Sequence, residues 1–569
     1  MSAVSHQIKP DEVTNAAAAP MRGVDRTRLV ASPPTARVRV LIVTWNRRAY
    51  VSSLLNSLSR QTYPLGLMDV TVIDNASTDG TLDSLRETFR PETVVQNRTE
   101  SAHEPAFTPD TSDGGPNTLG FGSLTLVRNS TNVGGCGGFN TGLAYTEAAD
   151  RPEAPTDLVW LVDDDADVAP DTLEQLHRAM SSSDDIGLVG SRTVNIADRR
   201  TTIETTIYYN TDTGAMQDDC PPQSPKRRAW LDWVNASGGT RGDRTYTGQI
   251  DVDVVSACSM LARWGAVVGK ADPTKPAVGF WDWRYFIYCD DADWCLRFGR
   301  AGWRVVLALD AVVYHTPWNL KLTPARIYYA NRNKVWMGQK VLSGRQLRSV
   351  TTRAMKSILR DSLHAAWKRR LFHAHIILDT ARDIAIQRTG KTGSDGPPGE
   401  PVFDALRRLG LLRADASIAA LCPHADAVKW SDDLREHLRT ALLALPEAQR
   451  EGLALPEIRV IVRNTVNGPL PPGAIVYGGR RASKLKKQLH IRKARPSAVV
   501  VFDQTNDLPA LSIGGHNLHI DQKKPTVAQV ERDGWIARTR FMIRWAPIAI
   551  RCLYFAATVK PYRSATRYG

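Results

Sequence analysis

The sequence lacks several features that would have placed it quickly. In 569 residues there is no run of 18 uncharged apolar residues, so no standard membrane-spanning helix is expected. Its seven cysteines are odd in number, and no two have the CxxC spacing of a metal knuckle. Free thiols in a reducing compartment fit that pattern. The start of the chain lacks the basic-then-apolar pattern of a secretory signal, so a cytoplasmic location is expected. There is no G-x-G-x-x-G after the first strand, hence no dinucleotide fingerprint. There is also no helix-turn-helix and no set of RNP aromatics, so nucleic acid is not an expected partner.

What is present is ordinary in bulk. Hydrophobic residues make up 42 % and charged residues 23 %, as in a soluble globular chain with room for three or four domains. Basic residues exceed acidic ones by 73 − 59 = +14, which favours an anionic partner. Residues 1–36 are rich in Ala, Pro and polar residues and read as a disordered arm. From Val38 the pattern alternates. Strands are expected at 38–43, 69–74, 124–127 and 158–162, with helices from about Tyr50 to Gln61 and from near Thr81. This β-α-β-α order predicts a parallel sheet with helices on its faces. Residues 97–120 read as a loop insertion, and 324–387 as helical. Residues 391–400 read as a linker. The remainder, 401–569, reads as a smaller α/β region with strands at 458–462, 474–477 and 498–502, and a polar turn at 503–507.

Four constellations carry chemistry. Asp163-Asp164-Asp165 follows an almost wholly apolar strand. Ligands bind at the carboxyl ends of strands in open α/β sheets. Alternation lets Asp163 and Asp165 point one way and Asp164 the other, so two carboxylates can hold one hard divalent cation. Second, Asn132-Val133-Gly134-Gly135-Cys136-Gly137-Gly138 is a glycine-rich turn feeding a helix from about Gly138, an arrangement that suits phosphate. Third, Asp290-Asp291-Ala292-Asp293 follows the aromatic run 280–286. There a carboxyl pKa can rise, and Trp281 and Trp283 can stack a sugar. Fourth, His315 ends a strand and completes an O,O,N donor set, which favours Mn²⁺ over Mg²⁺.

In this order, the four pieces resemble family 2 glycosyltransferases of the GT-A fold, over about Arg37 to Val335. Thr44-Trp45-Asn46-Arg47 and Val72 to Gly80 look like the family's first two nucleotide motifs. Asp163 to Asp165 match its metal-binding DxD, and Asp290-Asp291 the acidic pair that carries the base. The stretch Asp293 to His315 is close to the family pattern. The glycine run, Asp290 to Asp293, and His315 with Trp318 resemble bacterial galactofuranosyltransferases of cell-wall galactan synthesis. Rhamnosyltransferases share the layout but usually have Glu-Asp at 290–291. Cys289 stands where some galactofuranosyltransferases have Trp. Tyr328 to Asn333 resembles both.

The resemblance implies a GT-A domain over 37–335 (a Rossmann-like mixed sheet). Charge and hydropathy patterning add a basic helical region over 336–390 and the smaller α/β region over 401–569 with a terminal amphipathic helix. The resemblance also implies inverting transfer from a nucleotide-sugar donor, UDP-galactofuranose foremost, to a lipid-linked cell-envelope glycan. The rivals are a dTDP-rhamnose-dependent enzyme and a non-catalytic glycan-binding scaffold. Asp291 would be the base, oriented by Asp290. Asp163, Asp165 and His315 would hold the metal. Thr44, Asn46, Asp74, Asn75, Asn132, Gly134, Gly135, Gly137, Gly138 and Asp164 would face the donor. Trp281, Trp283 and Arg332 would face the acceptor.

Two segments suit a membrane surface. Lys340 to Lys391 holds 12 basic residues against three acids, among apolar residues at helical spacing. Phe541 to Phe555 is the most apolar stretch, with Arg540, Arg544 and Arg551 sharing one helical face. Peripheral attachment to the inner face of a bacterial plasma membrane is the resulting expectation. The sequence says nothing of oligomeric state.

Overall fold

In a computed structural model the described residues are 34–100, 104–110, 116–244, 246–317, 324–367, 371–392, 400–422, 425–463, 470–477, 496–502, 516–521, 524–531 and 535–562. The arm at 1–33, Trp318, the basic triplet 368–370, the linker core 393–399 and the turn 503–507 lie outside them. From residue 36 onward the elements belong to one unit.

The first part of the chain runs β1 (Val38–Thr44), α1 (Arg48–Leu58), β2 (Met68–Asp74), α2 (Thr81–Phe89), β3 (Thr93–Asn97), β4 (Phe107–Asp110), β5 (Ser123–Asn129), α3 (Gly134–Ala149) and β6 (Leu158–Asp163). Then come β7 (Asp167–Val168), α4 (Thr172–Met180), β8 (Ile186–Asn195), β9 (Thr202–Glu204), β10 (Tyr208–Asn210), β11 (Ala215–Gln217), α5 (Arg227–Ser237), β12 (Gln249–Asp251) and β13 (Ser259–Arg263). Next are α6 (Trp264–Val268), α7 (Asp290–Arg300) and β14 (Arg304–His315). One sheet orders ten of the strands β12-β14-β8-β13-β6-β1-β2-β5-β3-β4, with β7 on β14 and β9 on β8, while β10 and β11 pair separately. Strands β6, β1, β2, β5 and β3 are parallel; β13 runs against both β6 and β8, and β14 runs with β8.

That register decides where the chemistry lands. Two reversals, β6 to β13 and β13 to β8, return β8 and β14 to the direction of β6. The ends of β1, β2, β6 and β14 therefore share one edge. The chain leaves β1 for β2 on one side, while β6 flanks it on the other, so a crevice opens between β1 and β6.

Two departures from the expected pattern have physical causes. The supposed loop at 97–120 contains β4, an edge strand antiparallel to β3. Pro109 in it argues against a strand, but an edge position tolerates proline. The glycine-rich turn is instead the first turn of α3, which starts four residues earlier than expected. A Cβ on Gly138 would sit 2.4 Å from Val43 Cγ1, so glycine lets this helix lie close on β1. Gly134, with φ +80°, fits because a side chain there would meet Phe286 O at 2.2 Å.

The expected helical region is three helices: α8 (Pro324–Val341), α9 (Gly344–Trp367) and α10 (Leu371–Ala385). A second sheet follows. Its elements are β15 (Glu400–Pro401), α11 (Val402–Arg408), β16 (Ser417–Cys422), α12 (Ala425–Ala444), α13 (Glu447–Arg450), β17 (Glu457–Arg463), β18 (Ile475–Tyr477), β19 (Ala498–Phe502), β20 (His516–Asp521) and β21 (Lys524–Glu531). The order is β15-β21-β20-β19-β16-β17-β18. The last helix, α14 (Trp535–Thr558), returns to pack on α9 and α10 around Met355, Leu359, Leu378, Phe541 and Cys552. The fold is thus a large mixed α/β sheet, a helical layer and a smaller α/β sheet.

Candidate active site

The acid triplet sits where β6 ends, at the mouth of the crevice. His315 Nε2 lies 3.2 Å from Asp165 Oδ1 and 3.7 Å from Asp163 Oδ2. One ligand atom from each of the three lies within 4.8 Å of the others. Strand direction explains how a residue 150 positions away arrives there: β14 ends at the same edge as β6. Two carboxylates and an imidazole at this spacing fit one divalent ion, and the mixed O,O,N set suits Mn²⁺.

Asp164 is left out of that cluster. Its carboxylate accepts from Thr44 Oγ1 at 2.9 Å, across the crevice from β1. Arg47, which the sequence reading did not assign a role, lies 2.7 Å from Asp164 Oδ1 and 2.7 Å from Asp165 Oδ2. Burial pushes Asp164 up to about 6, with Asp165 and Asp163 adding to it against the pull of Arg47. Burial alone would lower Arg47, but Asp164 and Asp165 outweigh it and hold the guanidinium above its ordinary range. Three acids in a row are therefore tolerated because a fixed cation offsets them.

The other residues expected on the donor side form a braced rim. Asn46 Oδ1 accepts from Thr78 N at 2.7 Å, and Ser77 Oγ accepts from Asn46 N at 2.9 Å, tying the loops after β1 and β2 together. Asp74 accepts from Ser77 N at 3.2 Å, and burial raises its carboxyl. Asn75 is buried, donating to Gly134 O at 2.8 Å and accepting from Asn129 Nδ2 at 2.8 Å. Asn132 Oδ1 accepts from Gly134 N at 2.8 Å. Gly137 and Gly138 are buried in α3, and Gly135 is half-buried. Trp45 is half exposed at the end of β1.

The acidic couple opens α7. Asp291 Oδ2 accepts from Ala257 N at 3.4 Å, and Asp163 N donates to the adjoining Cys258 O at 3.4 Å. Residues 257–258 thus link the couple to the triplet, and Asp163 is among the charges that raise both Asp290 and Asp291. Burial, relieved by hydrogen bonds from Ala292 N and Ala257 N, leaves Asp291 at about 6. Asp290 is raised well above the carboxylate range by burial and by Asp291. Asp293 shows the opposite. It is equally buried, but Lys340 at 2.7 Å and Arg297 at 3.1 Å hold it below its ordinary value.

The loop before the couple is strained. Phe286, Tyr288 and Cys289 have φ of 65°, 70° and 62° without being glycine. Two residues hold it. Asn333 Nδ2 donates to Tyr285 O, Ile287 O and Tyr288 O at 2.9, 2.7 and 2.9 Å. Arg332 donates to Tyr285 O at 3.1 Å and Gly390 O at 2.8 Å. Arg332, expected at the acceptor, is buried in this clamp. Trp281 is also core, 1 % exposed and packed between Phe139 and Trp294, so it offers no face for a sugar to stack on. Trp283 is half-buried. Sequence reasoning placed Arg47 and Asn333 in family-like stretches without giving either a role, and missed Glu204. Glu204, opposite Thr193 on β8, is pushed to about 7 by burial and Asp218, with Asp291 and His315 also bearing on it.

No family model and no curated protein matches the sequence. Among solved structures, the chain is similar to TarS of S. aureus (14 % identity, 62 % of this chain and 49 % of that one, TM-score 0.34). It is similar to the mannosyltransferase PcManGT from Pyrobaculum calidifontis, solved with GDP-Man and Mn²⁺ (17 %, 66 % and 79 %, TM-score 0.32). It is similar also to GalNAc-T7, solved with UDP, GalNAc and Mn²⁺ (12 %, 56 % and 51 %, TM-score 0.38). The chain spans about half the length of TarS. Likenesses this distant say nothing about substrate.

Proposed function

We propose that the protein is a metal-dependent inverting glycosyltransferase. The observation that carries this reading is the meeting of Asp163, Asp165 and His315 at the crevice, with the raised Asp290–Asp291 couple beside them. Residues 37–335 carry the chemistry; 336–390 and 401–569 flank it.

Asp163, Asp165 and His315 would hold a divalent cation, Mn²⁺ or Mg²⁺, which would supply positive charge against the donor diphosphate and the leaving group. Asp291 takes the proton of the acceptor hydroxyl as its oxygen forms a bond to the anomeric carbon. The bond from that carbon to the diphosphate breaks, and the nucleotide diphosphate leaves from the opposite face. A single displacement inverts the centre. With its carboxyl near 6, Asp291 is ionised at neutral pH and basic enough to accept the proton. Asp290 shares the couple's raised proton affinity and orients its neighbour. Thr44 and Arg47 hold Asp164 at the donor rim, where Asp74 and Trp45 face the nucleotide.

The preferred donor is UDP-galactofuranose and the preferred acceptor a lipid-linked envelope glycan, met at the inner face of the membrane. Support for galactofuranose comes from the glycine run, Asp290 to Asp293 and His315, as they match in sequence. The test is a donor panel with purified enzyme and Mn²⁺: UDP-galactofuranose, dTDP-rhamnose and UDP-hexoses, with a synthetic lipid-linked glycan as acceptor. Transfer from UDP-galactofuranose is expected. Transfer from dTDP-rhamnose alone would make it a rhamnosyltransferase. Donor binding without transfer or hydrolysis from any member would leave a glycan-binding scaffold.

A further inference from the structure

Helix α14 has two apolar faces, and among the described residues only one is packed. Its 24 residues contain no Asp or Glu. The inner face is accounted for: Phe541, Ala549, Cys552 and Ala556 are buried against α9 and α10, and Trp545 Nε1 donates to Ser362 Oγ at 3.0 Å. Arg544 also turns inward, to His375 at 2.9 Å and to Asp379. It does not share the solvent face with Arg540 and Arg551, as spacing alone predicted.

The outer face carries Trp535, Ile536, Met542, Ile543, Ile550, Leu553 and Tyr554, all exposed, with Ala546 and Pro547 between them. At 3.6 residues per turn they fall within one sector of about 140° that contains no charge. Arg540 and Arg551 are exposed along one border of it. Seven of the fifteen large apolar side chains exposed among the described residues lie on this one helix. A contiguous stripe of this kind marks an interaction surface.

We propose that this outer face docks on an anionic lipid bilayer, its side chains entering the headgroup–acyl boundary. Three observations select lipid over other occupants. The surface is cationic at its border and free of acids, in a chain with a surplus of +14, and α9 in the same helical layer exposes Arg345, Arg348 and Lys356. Trp535 and Tyr554 stand near its two ends, amphipathic rings suited to an interface. A second copy of α14 would bring arginines to arginines with no carboxylate on the helix to meet them. Spanning is excluded for α14, since no helix among the described residues is long and apolar enough. The docking stands on α14 alone; that it delivers the enzyme to its acceptor rests on the transferase reading.

The test is flotation of the full chain with vesicles of phosphatidylcholine, or of phosphatidylcholine mixed with phosphatidylglycerol. The chain should float with the anionic vesicles, less so as salt rises. Ile543 and Ile550 are 70 % and 71 % exposed, so the double variant Ile543→Asp/Ile550→Asp should fold normally. It should lose vesicle binding at least about tenfold, while transfer to a water-soluble acceptor is unchanged. Arg540→Gln/Arg551→Gln should bind the anionic vesicles more weakly, with a shallower salt dependence. Wild-type chain that stays unbound at low salt overturns the proposal, as does a double aspartate variant that floats like wild type. So does a double aspartate variant that only converts an oligomer to a monomer, which would make the face an interface between copies. Flotation that behaves as expected in a protein with no transferase activity sinks the function and leaves the docking supported.

Discussion

The two acid clusters at the crevice are built on opposite principles. Asp163 to Asp165 are held by partners: Arg47 lies 2.7 Å from two of them, and His315 faces the third position of the set. Among the described residues Asp290 and Asp291 have no such cation; backbone amides and burial surround them, and a strained loop clamped by Asn333 precedes them. Asp293, two residues on, shows what a cation would have done, since Lys340 and Arg297 hold its carboxyl low. On the proposed reading Asp163 and Asp165 would bind a cation with His315 while Asp290 and Asp291 would hold a proton; Asp164, also raised by burial, belongs to neither role. The role of each carboxylate follows from its surroundings and not from its residue type.

The sharpest way to break the contrast is Asp291→Asn. Base catalysis of this kind is worth about 10²–10⁴-fold, so turnover should fall by that much. Binding of the nucleotide diphosphate, measured by calorimetry with Mn²⁺, should be kept. Loss of nucleotide binding would move Asp291 to the donor side and merge the two clusters.

Next in size is Arg47→Met. Removing one member of a buried ion pair typically costs about 3–5 kcal/mol, because the remaining charge is left unpaired. Mn²⁺ should restore more stability to this variant than to the parent, since it supplies the lost positive charge. Equal thermal shifts with Mn²⁺ in both proteins would show that Arg47 and the metal do not share a site.

Asn333→Ala probes the second cluster. It leaves three backbone carbonyls of the strained loop without their donor, at a cost of about 1–3 kcal/mol. If the clamp aims the couple, kcat should fall more than KM rises. A loss of stability with kinetics unchanged would make Asn333 structural only.

Much of this arrangement was legible in the sequence, for identifiable reasons. Apolar runs at 38–43, 69–74 and 158–162 read as buried parallel strands, and acids directly after such a strand must lie at a sheet edge. His315 could be placed beside the triplet because a residue ending a strand belongs to the same kind of edge. What stayed hidden depends on tertiary contact. The glycines of α3 read as a turn by propensity, yet close packing on Val43 makes them helix. Pro109 concealed an edge strand. Arg47 and Asn333 lie in stretches that the resemblance singled out, but their individual partners, Asp164 and the carbonyls of 285–288, are 45 to more than 100 residues away, and Glu204 carried no local signal. Trp281 read as a stacking platform because aromatic composition cannot tell a core from a cleft wall.

The smallest effect is the most diagnostic, because it runs against intuition. Burial lifts Asp291 to about 6 in the folded chain, above its value of about 4 when unfolded. A carboxyl raised on folding binds its proton more tightly in the folded state, so ionising it costs the fold stability. That cost is absent below about pH 4, grows between about 4 and 6, and is constant above. Asp291→Asn removes it, so the variant should melt a few degrees above the parent at neutral pH and level with it near pH 4. Activity has the reverse dependence: the base works only when ionised, and kcat/KM should fall about tenfold per pH unit below about 6. Were Asp291→Asn instead the less stable protein at neutral pH, its carboxylate would be held by a partner as the triplet is, and the distinction between the two clusters would fail.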